Sequence, residues 1–180
     1  MKTNKQSSKL ATVPIQTDAS AFRLRLGRST IQGRGLFAGE RLPRGRKIIE
    51  YTGERISMPR MTARIAQILE ERGPMPRYLF RLNPHWFVDG EKGGGGAQFV
   101  NHSCDPNLAT RRIHGHILYF SKRPIRKGEE LTVDYRFRHD SPRAECRCGS
   151  PKCRGIINLT AEEWKRIRKR QSRRLLRRRS

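Results

Sequence analysis

Phe22, Leu24 and Leu26 alternate with Arg23 and Arg25, a period of two that sets an apolar row on one face of a strand. Gly27 and the glycines at 33 and 35 bracket a turn, after which Leu36-Phe37-Ala38 resumes the extended pattern. Lys47 to Gly53 reads as a further strand stopped by glycine. The period then changes: Met61, Ile65, Ile68 and Leu69 share one helical stripe, Pro59 fits its first turn, and Gly73-Pro74 ends it. Tyr78 to Leu82 and His85 to Asp89 read as two strands joined through Asn83-Pro84, and Gly93 to Gly96 as a flexible connector. Leu108 to Arg112 and Ile117 to Phe120 pair through Gly115, and Gly128 turns the chain into a strand from Leu131 to Phe137. Thr160-Ala161-Glu162-Glu163 has the spacing of a capping box, and Trp164, Ile167 and Leu175 fall near one face of a closing helix. Short strands outnumber helices, so the fold class is α+β.

The chain of 180 residues fits one domain with a tail. Its hydrophobic share of 34% is low because Lys and Arg number 40 against 16 Asp and Glu, so a compact core carries a very basic exterior. The formal charge of +24 draws polyanions, nucleic acid first, by an attraction that is sequence-independent and salt-sensitive. Residues 1–20 are too polar to offset ordering entropy and read as a disordered basic arm. Residues 161–180 carry ten Lys and Arg against two Glu and read as a basic helical tail that can bind nucleic acid. No window reaches the roughly 18 apolar residues of a membrane span, and Met1 to Ser20 lacks the apolar stretch of a secretory signal. That points to an intracellular protein, nuclear, nucleoid-associated or cytoplasmic. Four cysteines in a reducing compartment are then metal ligands or buried thiols rather than disulfides.

The candidate chemistry lies in a few short motifs. Phe99-Val100-Asn101-His102-Ser103-Cys104-Asp105-Pro106-Asn107 places an amide, an imidazole, a hydroxyl and a thiol side by side. Gly33-Arg34-Gly35 precedes it and Glu130-Leu131-Thr132-Val133-Asp134-Tyr135 follows it. Taken alone a Gly-x-Gly is usually only a turn, and an Asn-His pair usually a satisfied one. In this order the three resemble the signature of the SET-domain protein lysine methyltransferases, over about Phe22 to Asn158. Cys146, Cys148 and Cys153 form Cys-x-Cys-x4-Cys, close enough to converge on one tetrahedral ion with Cys104 as the fourth ligand. That arrangement resembles the family's post-SET element, which folds over the active site on one structural zinc ion.

The resemblance implies a SET-domain β-fold over 21–138, in which a pseudoknot threads the C-terminal segment beside Asn101 to Cys104, and a zinc element over 139–160. It implies S-adenosylmethionine as cofactor, held by the backbone of Gly33, Arg34 and Gly35, by Asn101 and His102, and by Tyr78. Gln98 departs from the family, which more often has Arg before the Phe, so one contact to fold or cofactor is missing. Tyr135 is implied as the catalytic tyrosine, with Tyr51 beside it lining the lysine channel. Strand alternation sets Leu131, Val133, Tyr135 and Phe137 on one face and so brings Val133 to the channel. The chemistry is consistent: deprotonating a lysine of pKa near 10.4 at pH 7 costs about 4–5 kcal/mol, and an apolar tyrosine-lined channel beside a sulfonium lowers that pKa by desolvation and repulsion. The reading is protein-lysine methylation, of histones or other basic nucleic-acid-associated proteins. The alternative is a catalytically weak SET-like module that binds nucleic acid or chromatin through its basic surface.

Overall fold

The computed structural model describes residues 20–72 and 78–176. The arm expected over 1–20 lies outside them except for Ser20, which bridges Ile49. Leu24–Arg28 (β1) and Arg34–Ala38 (β2) form the expected antiparallel hairpin, in register Leu26 opposite Leu36. Lys47–Glu50 (β3) pairs with an antiparallel hairpin to give a three-stranded sheet, and the rest of the apolar pattern builds a second one. In the first, the order is β3, then His116–Ser121 (β9), then Leu108–Ile113 (β8). In the second, Glu54–Ser57 (β4) and Leu79–Arg81 (β5) flank Trp86–Asp89 (β6). The row of β9 that alternation turns inward, Ile117, Tyr119 and Ser121, is buried against Ile48, Ile49 and Leu108. Tyr119, matched to no motif, is core.

The helix Met58–Arg72 (α1) begins with Pro59 in its first turn, where the missing N–H costs no hydrogen bond. Arg64 clips it to the second sheet, donating to Asp89 Oδ2 at 2.6 Å and Glu54 Oε2 at 2.8 Å. Two acceptors on one half-buried guanidinium leave no charge stranded beside the buried Asp89. Gly93 to Gly96 is not a flexible connector. Gly95 and Gly96 are buried, Gly95 N–H donates to Thr52 Oγ1 at 2.8 Å and Gly96 N–H to Gln98 Oε1 at 2.8 Å. Gln98 therefore has a local task a guanidinium could not perform, since only an amide oxygen can accept that N–H.

The strand expected from Leu131 to Phe137 is much shorter. Only Thr132–Val133 (β10) is paired, parallel to Asn101–His102 (β7), with Thr132 opposite Asn101 and Val133 opposite His102. The ladder stops because the Tyr135 N–H donates to His102 Nδ1 at 3.1 Å instead of to a strand, and Arg136 turns left-handed at φ 54°. Strict alternation therefore does not place Tyr135. This crossing is the threaded contact between two distant segments that the resemblance implied. Beyond it Phe137 bridges Asn158 and Glu145 bridges Ile156, tying the cysteine-rich loop back to the body. The helix Ala161–Leu176 (α2) starts with a complete capping box, Glu163 N–H to Thr160 Oγ1 at 3.1 Å and Thr160 N–H to Glu163 Oε2 at 2.8 Å. Such a box stabilises a helix start by about 1 kcal/mol. Trp164 anchors it, its ring 6.1 Å from that of His139 and under the Arg138 guanidinium at 5.5 Å. The Leu175 side chain and residues 177–180 lie outside the described part.

Candidate active site

The glycine loop is held from behind. Ser29 N–H donates to Gly33 O at 2.9 Å and closes it, with Gly33 left-handed at φ 46°. Ser29 Oγ donates to the Glu130 carboxylate at 2.8 Å while accepting the Ile31 N–H at 2.9 Å. The Asn101 amide donates to Arg34 O at 2.9 Å and to Glu130 Oε1 at 2.8 Å. A Cβ on Gly35 would stand 2.4 Å from Glu130 Oε1, so glycine is required there for the carboxylate to approach. Sequence reasoning placed Asn101 on the cofactor directly. Its amide hydrogens rigidify the Gly33-Arg34-Gly35 backbone, and Glu130, which carried no assignment, is the hub of the arrangement. The signal was present: a carboxylate two residues before Thr132, just ahead of the strand that crosses the Asn-His pair.

His102 is 3% exposed and spends both ring nitrogens within the protein. Because Nδ1 accepts the Tyr135 N–H, the ring hydrogen sits on Nε2, which faces Cys104 Sγ at 3.4 Å. Burial pulls its pKa down to about 4, with Arg154's charge adding and Asp134 opposing, so the ring is neutral at pH 7. Its structural work is to aim the Tyr135 backbone. Asp134 is fixed from the other side by a two-pronged ion pair, Arg154 Nη2 to Oδ1 at 2.9 Å and Nη1 to Oδ2 at 3.4 Å. Arg154 directly follows Cys153, the last of the candidate metal ligands, and so couples the cysteine loop to the tyrosine. Neither Asp134 nor Arg154 was singled out from sequence, because the partners lie 20 residues apart.

Tyr135 and Tyr51 both turn their hydroxyls inward. Tyr135 Oη donates to Val100 O at 3.0 Å although the residue is 38% exposed, and Tyr51 Oη donates to Tyr78 O at 2.5 Å. Burial raises both phenols well above the ordinary value, Tyr78 and Glu130 adding at Tyr135, and Tyr135 and Asp89 adding at Tyr51. Both stay neutral donors across the physiological range. Tyr78 is itself left-handed at φ 73°, a conformation that costs a non-glycine residue about 1–3 kcal/mol. The strain aims its carbonyl at Tyr51 and its ring edge-on at Phe99, 5.7 Å away. Phe99 carries the Arg34 guanidinium over its other side at 4.3 Å. Tyr51 packs 5.1 Å from Phe80, and Val133 is buried in the same cluster. Through Phe99, which touches both Tyr78 and Arg34, the tyrosine cluster adjoins the glycine loop.

Cys104, Cys146, Cys148 and Cys153 bring their four sulfurs within 4.8 Å of one another, and Cys104 and Cys146 lie 3.7 Å apart. Tetrahedral zinc with bonds near 2.3 Å separates its sulfurs by about 3.8 Å, whereas a disulfide would need about 2 Å. Backbone N–H groups already point at sulfur, Arg154 to Cys104 at 3.4 Å and Gly155 to Cys153 at 3.3 Å, as thiolates require. Burial pushes the Cys146 thiol up. At Cys148 burial also acts upward but is outweighed by hydrogen bonds from its neighbours, which bring it to about 6. The donor set fits one closed, four-sulfur site.

Fold and site together define a β-rich domain organised around a threaded crossing rather than around an open sheet. The chain belongs to the SET-domain family, whose model matches residues 33–136. It is 41% identical over 147 residues to histone-lysine N-methyltransferase ATX2 of Arabidopsis thaliana, a match covering 78% of this chain and 13% of that protein. It is 39% identical over 142 residues to the H3 lysine-4 specific histone-lysine N-methyltransferase of Saccharomyces cerevisiae, covering 73% and 13%. It is also 37% identical over 135 residues to the histone-lysine N-methyltransferase trithorax of Drosophila melanogaster, covering 73% and 4%. The chain therefore spans a small part of the length of the curated relatives it matches. Among the described residues no helix is long and apolar enough to cross a membrane.

Proposed function

We propose that this chain transfers methyl groups from S-adenosylmethionine to lysine side chains of proteins, histones or other nucleic-acid-associated proteins, at a chromatin or nucleoid location. The observation that carries the reading is the pair of inward hydroxyls, Tyr51 and Tyr135, neutral and fixed on backbone carbonyls beside the glycine loop. The names of the relatives support lysine as acceptor and histones as a substrate class. S-adenosylmethionine supplies an electrophilic methyl on a sulfonium. Gly33, Arg34, Gly35, Asn101, His102 and Tyr78 form its cradle, directly or by holding the backbone that does. Tyr135 and Tyr51 orient the entering amine and exclude water, and the apolar surroundings favour its neutral, nucleophilic form. Cys104, Cys146, Cys148 and Cys153 hold one structural zinc ion, with domain limits 21–138 for the SET unit and 139–160 for the zinc element. Incubating the chain with labelled cofactor and a cell extract tests the reading. A labelled protein band whose label maps to lysine is the expected result, and label on no protein, or away from lysine, would sink it.

Val133 sets the product. Many members of the family place Tyr or Phe there, and valine has neither ring nor hydroxyl to crowd a partly methylated amine. Di- or trimethyl-lysine is the expected end product at long reaction times by mass spectrometry. Val133→Tyr should shift it to monomethyl-lysine; monomethyl-lysine from both proteins would show that this position does not control multiplicity.

Nucleic acid is the second partner. Trp164 and Glu163 dock α2 while Lys165, Arg166, Arg168, Lys169 and Arg170 stay exposed on it. Replacing these five by Gln leaves the anchor and should reduce the slope of log affinity against log salt for DNA by about four. An unchanged slope would count against the helix as an interface.

A further inference from the structure

Two turns on the body of the domain carry cations side by side. The bridges of Phe37 to Glu130 and of Leu42 to Ile125 keep one antiparallel register, which sets Arg41 across from Arg126. Leu42 and Ile125 exchange backbone hydrogen bonds at 2.9 Å each and are fully buried, so alternation turns Arg41 and Arg126 outward. Ser121 ties in the next stretch: Gly45 N–H donates to its carbonyl at 2.9 Å, and its own N–H donates to Arg46 O at 3.0 Å. The turn that carries Arg44 and Arg46 is thereby fixed beside the one that carries Lys122 and Arg123. Arg41, Arg123 and Arg126 line one open cleft of about 770 Å³, together with Pro124, Ile125 and Glu129.

The carboxylates that flank these turns are spent. Glu129 Oε1 accepts from Arg123 Nη2 at 2.5 Å and from the Asn107 amide at 3.0 Å, and Oε2 accepts the Arg126 N–H at 3.1 Å. Glu40 accepts the Arg23 N–H at 2.7 Å and its Nε at 3.4 Å. Glu130 is engaged by Ser29 and Asn101. Arg41, Arg44, Arg46, Arg126 and Lys127 are exposed, and among the described residues no carboxylate pairs with any of their side chains. Like charges set across from one another in a strand pair repel, and an anion between them relieves the repulsion. Among the described residues the exposed large hydrophobics are Leu69, Trp86, Ile113 and Tyr135, none of them on either turn. A protein partner needs an apolar centre to its interface, whereas a phosphodiester backbone is bound by cations alone.

We infer that the turns 41–47 and 122–128 form a nucleic-acid interface on the folded body, with a backbone phosphate seated in the cleft between Arg41 and Arg126. The inference rests on the reading that this chain binds nucleic acid, and it places part of that binding apart from α2.

The test uses the full chain and a short fluorescent DNA duplex, with affinity read by anisotropy across a salt series. Arg41→Gln combined with Arg126→Gln should lower the slope of log affinity against log salt by about two, since each lost phosphate contact removes about 0.9. Arg41→Lys with Arg126→Lys keeps both charges and should keep the slope. Arg55→Gln with Arg81→Gln makes the same change in net charge on β4 and β5 and should leave the slope as it is. The loss in the Arg41 and Arg126 Gln pair should persist when the five α2 cations are already Gln. No change in that pair, or an equal loss in the Arg55 and Arg81 pair, would overturn the interface. If only the α2 variant moves the slope, nucleic-acid binding stands and this site fails; if the wild type shows no salt-dependent binding, both fail. Polyglutamate is the second probe. Weaker polyglutamate binding in the Arg41 and Arg126 Gln pair, with its DNA slope unaltered, would give the face to an acidic protein and overturn the proposal.

Discussion

Stripping zinc, or changing Cys148 to Ser, is expected to cost at least about a hundredfold in methyl transfer and to release residues 139–160 from the body. Structural zinc sites of four thiolates contribute about 10–16 kcal/mol of binding energy that is also folding energy. Besides the metal, the loop is held by the Phe137 bridge to Asn158, the Glu145 bridge to Ile156, the Asn158 amide on Arg138 O, and the pairs of Arg154 with Asp134 and Lys152 with Asp105. The Glu145 bridge and the pairs made by Lys152 and Arg154 start from the cysteine loop itself and depend on its shape. Loss of the loop frees Asp134, and Cys104 loses the partners that steady it beside His102. Because His102 aims the Tyr135 backbone, the damage reaches the tyrosine without touching it. The first sheet shares none of these bonds and should keep its protection in hydrogen exchange, while 139–160 becomes open to proteolysis. Metal analysis should give one zinc per chain, and a zinc-free preparation with full activity would refute the assignment of all four cysteines.

Tyr135→Phe is expected to lower kcat by about a hundredfold or more while changing cofactor affinity by less than about threefold. A misaligned reacting group costs on the order of 10² in rate. The cradle owes nothing to this hydroxyl, being fixed by Ser29, Asn101 and Glu130. The fold should hold as well, since only the Val100 carbonyl loses a partner, a matter of about 1 kcal/mol. Calorimetric titration with the cofactor and single-turnover kinetics separate the two quantities. Wild-type turnover by the variant, or loss of cofactor binding in proportion to rate, would remove Tyr135 from the role.

Local pattern made most of the elements legible. Alternation in Phe22 to Leu26 and in Ile117 to Phe120, and the helical stripe ended by Gly73-Pro74, reflect side chains that face one core in a fixed period. The cysteines were legible because their spacing is short and their chemistry narrow. What stayed hidden depends on contacts between distant segments. The strand through Tyr135 reads as longer than it is because nothing local reveals that His102 takes its N–H. Four glycines read as slack because the acceptors that order them, Thr52 and Gln98, are set by tertiary packing. Glu130 and Arg154 look like ordinary surface charges until the carboxylate is seen against Gly35 and the guanidinium on Asp134.

The central claim is methyl transfer to a lysine nitrogen by the tyrosine pair. The most direct measurement supplies trideuteromethyl cofactor and a protein extract to the wild-type chain and to Tyr135→Phe, then hydrolyses the product and identifies the labelled amino acid by mass spectrometry. The account predicts deuterated Nε-methyl-lysine from the wild type and almost none from the variant. Label on another amino acid, or equal labelled lysine from both proteins, would contradict it.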